Sequence, residues 1–486
     1  MYKAYVTKLT NIRPHNNADK LNLADVFGNT VCVPLDYTED MLGAYFPVDG
    51  QLSEEFCREN DLVRRKDENG NDVGGYMDPE KRNVKAIRLR GEKSDGLFLP
   101  IKCLGYCFKD GDTDELEYGY VIESSVNGHE ICQKYIPHSN RGSAYTAAKG
   151  NKARQKTKLV APLFKEHADT EQLAYNLNAF HCGDQIEISL KMHGTSQRTG
   201  YLPVLKGYND SHACEVGNAL RKLAYRFMGK EDKFEYSHDG EPIYEYDYIC
   251  GTRRVVLDRL NQTEDGGFYG SNGFRAQHHQ KFIGKLNKGE TVYYEVVGFT
   301  DTGAPIMGNG KNDKLGKDFV KQYGKETVFS YGCEPTGKKG IDITEREAPQ
   351  SDIYVYRMTM TNEDGFVVEY TPDFMRFRCE QMGIKCVPVF YKGYIPHDEA
   401  ELGYVHDHDE YPIDAGAWVQ MKAEEYYDGA DPIGKTHIRE GVVVRIINRP
   451  RFAAYKTKNF SFKVLEGLIK EDALAPDMEE AQEVVE

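Results

Sequence analysis

Lys191 has the setting of a nucleophile. Residues 187–199, EISLKMHGTSQRT, put it at the end of a run in which Ile188 and Leu190 alternate with polar neighbours, the pattern of a strand, just ahead of a turn at His193, Gly194 and Thr195. Gly194 would let the backbone approach a ligand closely, and the small hydroxyls of Thr195 and Ser196 can donate to a phosphate without crowding it. A free lysine amine, with a pKa of about 10.4, is protonated at neutral pH and attacks only where desolvation or other cations lower that value. Lys456 and Lys458 in AYKTKNF supply such cations. Two residues apart on a strand, they point the same way, where they would repel the proton of Lys191 and offset charge building on a phosphate.

Carboxylates complete the set. In REGVVVRI, Val442, Val443 and Val444 read as a strand buried on both faces with Glu440 at its entrance, a place suited to holding Mg²⁺, a hard cation that prefers oxygen ligands. On TVYYEVVGF, Glu295 shares a face with Tyr293 and Val297; a charge among apolar neighbours is costly unless it has a partner, so a ribose hydroxyl, a metal-bound water or a salt bridge is expected there. The HDHD run at residues 406–409 offers metal-ligand types, but its acidic surroundings, Glu399, Glu401 and Glu410, mark a solvated loop.

Four strings in this order, that around Lys191, YYEVVGFTDTG at 293–303, EGVVVR at 440–445 and YKTKNFSFK at 455–463, resemble the covalent nucleotidyltransferase superfamily of ligases and capping enzymes. Within it the likeness is greatest to the nick-sealing RNA ligases of bacteria and phages that carry an amino-terminal OB domain. The resemblance implies an ATP-dependent RNA ligase that joins 3′-hydroxyl and 5′-phosphate ends through a lysyl-AMP on Lys191, acting on RNA or an RNA-containing nicked duplex. It also implies that Lys191, His193, Gly194, Lys456 and Lys458 surround the nucleotide and that Glu440 and Glu295 hold Mg²⁺, with Mn²⁺ as an alternative. Arg253, with Arg254 as a close rival, takes the place of the arginine that contacts the ribose and the acceptor phosphate. Tyr356 aligns with the aromatic that stacks on the purine, while Tyr354, on the same strand face in SDIYVYRMT, reads equally well as core. Ser196 and Lys463 fall to the nucleic-acid side. The chain departs from the pattern twice: Leu190 stands where many relatives have a glutamate that helps read adenine, and Ser196 where RNA ligases of this type often have asparagine.

The elements that must position these residues suggest an α+β protein with an amino-terminal OB-like β-barrel followed by a nucleotidyltransferase (ligase adenylation) domain built on antiparallel sheets with flanking helices. Residues 1–105 alternate in short runs broken by turn residues, as in a small barrel; VKAIRLRGEKSDGLFLP would turn Ile87 and Leu89 inward and Arg88 and Arg90 outward to a nucleic-acid backbone. NADKL at 17–21 is similar to tRNA-binding OB modules. Residues 106–180 read as a connector, 181–470 as the catalytic domain with an insertion over 201–245, and 471–486 as an acidic tail. Helices are expected at 218–227, at 274–286 and in TPDFMRFRCEQMG, where Thr371 would be the N-cap and Pro372 the first-turn residue.

A net charge of −15 argues against indiscriminate nucleic-acid binding, so cations must be gathered locally. They cluster at Lys81, Arg82, Lys85, Arg88, Arg90 and Lys93, and again at Lys149, Lys152, Arg154, Lys156 and Lys158. Eleven cysteines without a CxxC pair suggest reduced thiols, and the absence of a long apolar run or a signal-like amino terminus leads to the expectation of a cytoplasmic monomer with no membrane partner. Two other readings stay open. One is a capping-type guanylyltransferase or DNA ligase, although the 28 residues after Lys458 leave no room for the second OB domain those enzymes usually carry. The other is a non-catalytic OB-fold RNA- or tRNA-binding protein.

Overall fold

The computed structural model describes residues 2–66, 72–136, 163–228, 236–253, 256–257, 273–335, 348–398 and 413–471. Arg254, the basic stretch 149–158, the HDHD run and the acidic tail beyond residue 471 lie outside these. The centre of the molecule is a pair of sheets. One has five strands in the order Glu171–Gln172, Ala453–Lys458, Gly441–Ile446, Gln185–Lys191, Val389–Tyr394; the other has six, Val256–Leu257, Pro242–Gly251, Thr195–Tyr208, Glu290–Gly298, Ser351–Thr361, Val367–Glu369. All pairs are antiparallel except Glu171–Gln172, which runs parallel to Tyr455 and Lys456.

Register decides which side chains face the space between the sheets. In the five-stranded sheet Lys191 pairs with Gly441 and Gly441 with Lys458, Ser189 with Val443 and Val443 with Lys456, and Glu187 with Arg445. Side chains alternate along a strand, so these residues share one polar face. Ile186, Ile188, Leu190, Val442, Val444 and Ile446 take the other, with Leu190 also reaching the larger core. The rest of that apolar face packs on Trp418, Val419 and Ala423 of the helix Ala415–Glu424. The six-stranded sheet divides likewise. Val292, Tyr294 and Val296 pack on Phe274 of the helix Gly273–Gln280 and on Phe282 and Leu286 just beyond it. Ser196 opposite Glu295, and Arg198 opposite Tyr293 and through it Arg357, form the polar face. The two polar faces meet around Phe452, whose ring lies 4.7 Å from the Arg357 guanidinium and 4.9 Å from that of Arg445.

The local signals mostly hold. Thr371 caps the helix Pro372–Met382 by accepting from the Phe374 amide, and Gly383 ends it in the left-handed conformation (φ 68°). The helix expected over 274–286 stops at Gln280, the remainder continuing as turns closed by backbone bonds such as Phe282 N to His279 O. The expected insertion is a long hairpin, Thr195–Tyr208 with Pro242–Gly251, and the helix His212–Phe227 stands between its strands in the chain, beginning earlier than residue 218.

The amino-terminal part is mostly β, with a short α-helix at Glu54–Glu59 and a 3-10 helix at Ile101–Cys107, but among the described residues its strands pair into separate sheets and no closed barrel forms. Four strands, Leu97–Pro100, Leu42–Phe46, Ala4–Lys8 and Val121–Ile122, make one sheet; Thr10–Pro14, Leu21–Val26 and Asn29–Pro34 make another. Val121–Ile122, together with Cys132–Lys134 against Gly50–Leu52, extends this unit past the expected boundary at 105. The hairpin Ala86–Leu89/Glu92–Asp95 leans on the helix Phe460–Glu471: Arg88 and Lys93 stand 5.5 and 5.4 Å from the Phe460 ring, and Lys463 pairs with Asp95. No helix among the described residues is long and apolar enough to cross a membrane.

A buried ion pair fixes one end of the six-stranded sheet. Glu290, fully buried at the start of its strand, accepts from Arg378 Nε and Nη2 at 2.8 Å each, from the Tyr370 hydroxyl at 3.0 Å and from the Asn287 amide at 2.7 Å. Arg378→Ala would strand that carboxylate, and urea unfolding should show a loss of about 3–5 kcal/mol.

Candidate active site

Lys191 and Glu440 form the heart of the site. The Lys191 Nζ lies 2.6 Å from Glu440 Oε1, and the carboxylate is almost wholly buried. Strand pairing explains the approach. Lys191 ends its strand opposite Gly441, which brings the carboxylate of the adjoining residue, Glu440, within reach of the ammonium. A Cβ at Gly441 would come within 2.0 Å of the Thr457 carbonyl, so only glycine lets the strands close up here. Lys458 Nζ stands 3.4 Å from the same Oε1 and donates to both oxygens of Glu466, at 2.9 and 2.7 Å, while His193 Nδ1 is 3.5 Å from Glu440 Oε2. Burial alone would raise the Glu440 pKa, but Lys191, Lys458 and His193 outweigh it and hold the carboxyl far below its ordinary value. Oε2 is buried and has no hydrogen-bond partner among the described residues.

Lys456 is the cation under most strain. Burial first, then Lys191 and Lys458, pull its pKa down to about 8 against the partial support of Glu440, and Arg253 pushes the same way as the lysines. The expected convergence of Lys456 and Lys458 on one strand face is present, with Lys191 beside them.

The turn after Lys191 is built for close approach. A Cβ on Gly194 would sit 2.4 Å from the Val296 carbonyl and 2.9 Å from Glu295 Cγ, so the facing sheet packs directly on this backbone. His193 is fixed by its amide, which donates to the Tyr331 hydroxyl at 2.7 Å, and by the edges of Phe329 and Phe462. Burial, and then the Glu440, Asp431 and Glu295 carboxylates, push the Tyr331 phenol up. Glu295, largely buried, accepts from Ser196 Oγ at 3.3 Å.

The other expected residues are more scattered. Arg253 follows the strand Pro242–Gly251, pairs with Asp169 and lies near enough to Lys456 to affect its charge. Tyr356 falls where the register between Glu290–Gly298 and Ser351–Thr361 shifts by one residue, and its hydroxyl bonds His167 Nδ1; Tyr354, opposite Glu295, belongs to the core. Arg88 bonds the Gly91 carbonyl at 3.1 Å, and Arg90, in the left-handed turn after its strand (φ 45°), bonds Asn17 O at 3.2 Å. Arg88 and Lys463 lie at the contact between the amino-terminal hairpin and the helix Phe460–Glu471, and Arg90 lies at the tip of that hairpin against Asn17, rather than around Lys191. Sequence reasoning missed Glu466, Tyr331 and His167. Glu466 is six residues after Phe460 on a helix whose first turn follows the lysine pair, a spacing that could have been read; the other two carry no local signal.

No family model matches the chain, and no curated protein matches it. Among solved structures, a lysine-to-methionine mutant of the Naegleria gruberi RNA ligase with AMP and manganese is similar at a TM-score of 0.50 and 13% identity, covering 95% of this chain and 97% of that one. A lysine-to-alanine mutant of the same ligase with ATP and manganese gives 0.49 and 12%, over 95% and 98%. At such identity the likeness is one of fold: this chain has an architecture like that of the first of these ligase structures over nearly its whole length.

The lowered pKa of Lys456 has a consequence for stability. Its folded value, about 8, lies below the ordinary 10.5, so between these pH values the unfolded chain binds more protons. Stability should therefore rise with pH from about 8 to about 10.5 through this group, and Lys456→Met should flatten that part of the profile in urea titrations run at each pH.

Proposed function

We propose that the chain is an ATP-dependent RNA ligase that seals a 3′-hydroxyl to a 5′-phosphate through a lysyl-AMP on Lys191. The observation that carries this reading is the alignment of Lys191, Lys456 and Lys458 on one strand face, around the buried Glu440 carboxylate. The fold likeness to an RNA ligase supports it. In the first step Lys191 Nζ, having given up a proton, forms a bond to the ATP α-phosphorus while the bond to the β-phosphate oxygen breaks and its electron pair leaves with pyrophosphate. Lys456 and Lys458 meet the charge that gathers on the phosphate oxygens. The AMP then passes to an RNA 5′-phosphate, and a 3′-hydroxyl displaces it.

The donor set fits a divalent cation. Glu440 Oε2 is a buried oxygen without a hydrogen-bond partner among the described residues, and Glu295 brings a second carboxylate from the facing sheet. Mg²⁺ or Mn²⁺ held by Glu440 and Glu295 would supply charge neutralisation for the phosphates. Glu440 itself holds the Lys191 ammonium and must release it before attack.

Around this centre, His193 and Gly194 border the nucleotide, Arg253 serves the ribose and acceptor phosphate, and Tyr356 stacks on the purine. The amino-terminal unit acts as an OB-like nucleic-acid-binding domain through Arg88 and Arg90, with Ser196 and Lys463 also on the RNA side. We place the protein in the cytoplasm as a monomer.

Incubation with labelled ATP and Mg²⁺ followed by denaturation should leave label on the protein. Lys191→Ala should abolish it, and Lys456→Ala or Lys458→Ala should slow it roughly ten- to a thousandfold. Label that survives Lys191→Ala would sink the assignment, and stronger labelling from GTP would move the capping reading ahead. Two nicked duplexes differing only in a ribose or deoxyribose 3′ end test the RNA preference, equal sealing of both being the adverse result.

A further inference from the structure

The segment that leads into the catalytic sheets crosses the space between their polar faces. Phe164 lies under the Arg198 guanidinium, 4.5 Å from it. The Tyr293 hydroxyl then donates to the Lys165 carbonyl at 3.0 Å, and the His167 amide to the Arg253 carbonyl at 3.3 Å. By Glu171–Gln172 the chain has joined the other sheet beside Tyr455 and Lys456. His167 is thereby set between the sheets. Its ring stands edge-on to Tyr293, with centroids 5.0 Å apart, and its Nδ1 is bonded to the Tyr356 hydroxyl.

That bond favours one tautomer. A phenol is the stronger acid, so Tyr356 donates to Nδ1 and the imidazole proton sits on Nε2. Nε2 is sealed from solvent and has no partner among the described residues. A buried donor left unmade costs about 1–3 kcal/mol, a cost that a bound acceptor would remove. Arg198 Nε and Arg357 Nη1 are buried without partners in the same way, and Arg357 shares the Tyr293 ring with His167. Burial, and then the guanidinium groups of Arg198, Arg253 and Arg357, keep the imidazole uncharged. A neutral donor suits the uncharged nucleoside part of a ligand better than its phosphates, which the lysines already face.

We propose that His167 is a positioning residue for the nucleotide, its Nε2–H donating to an acceptor of the purine nucleoside, either N3 or N7 of the base or the ribose 2′-oxygen, held between the two sheets. This rests on the nucleotidyl-transfer reading and adds to it a specificity contact from outside the four sequence strings. The residue acts by holding the nucleoside while Lys191 acts at the phosphate.

The test uses the full chain and measures the rate of lysine labelling against ATP concentration. His167→Phe keeps a ring against Tyr293 and removes the nitrogens, while His167→Gln returns an N–H at similar reach. His167→Phe should raise the KM for ATP about tenfold with the saturating rate within about twofold, and His167→Gln should recover most of the loss. In the wild type, one of 3-deaza-ATP, 7-deaza-ATP and 2′-deoxy-ATP should show a similar KM penalty, which identifies the acceptor, and that penalty should vanish in His167→Phe. A folded His167→Phe protein with the wild-type KM overturns the proposal, as does a wild type indifferent to all three analogues, an arm that needs no variant to fold. A wild type that takes no label from ATP would instead bring down the ligase reading itself.

Discussion

A single carboxylate organises the site. Glu440 is buried where an isolated charge would cost several kcal/mol, and it is kept there by cations from two directions, Lys191 from the strand on one side of Gly441 and Lys458 from the strand on the other. The strands can converge this tightly because Gly441 presents no Cβ to the Thr457 carbonyl, so one backbone requirement underlies the charge arrangement.

The rest of the two-sheet half can be understood as a way of keeping a polar gap inside a protein. Both central sheets bury one apolar face against helices and turn the other, rich in arginine, lysine and carboxylate, toward each other. Such a gap is stable only if most charges are paired. Arg357 is taken up by Glu369, bonded through Nε at 3.1 and 3.0 Å, and Arg376 by Glu187 at 2.7 Å. Among the described residues, buried groups without partners here include Glu440 Oε2 and N–H donors on Arg198, Arg357 and Arg445, which a ligand with both acceptors and a cation would satisfy.

Much of this was legible in the sequence because strand chemistry repeats every two residues. Lys456 and Lys458 had to share a face, and valines on either side of Val443 had to be buried, whatever the strands paired with. Register is another matter. That Lys191 meets Gly441, and so Glu440, depends on contacts between residues some 250 apart in the chain, for which alternation gives no signal. His167 and Tyr331 stayed hidden for the same reason: a lone histidine or tyrosine outside a periodic run has no pattern to betray it. In the amino-terminal part the alternation identified strands but not their partners, and the return of Val121–Ile122 to pair with Ala4 and Tyr5 moved the boundary.

The helix Phe460–Glu471 touches both halves of the molecule within one turn. Lys463 reaches back to Asp95 on the amino-terminal hairpin, while Glu466, three residues on, grips Lys458. The helix therefore ties the amino-terminal unit to the lysines around Glu440, with Lys458 shared between an acid on this helix and the acid at the entrance of the neighbouring strand.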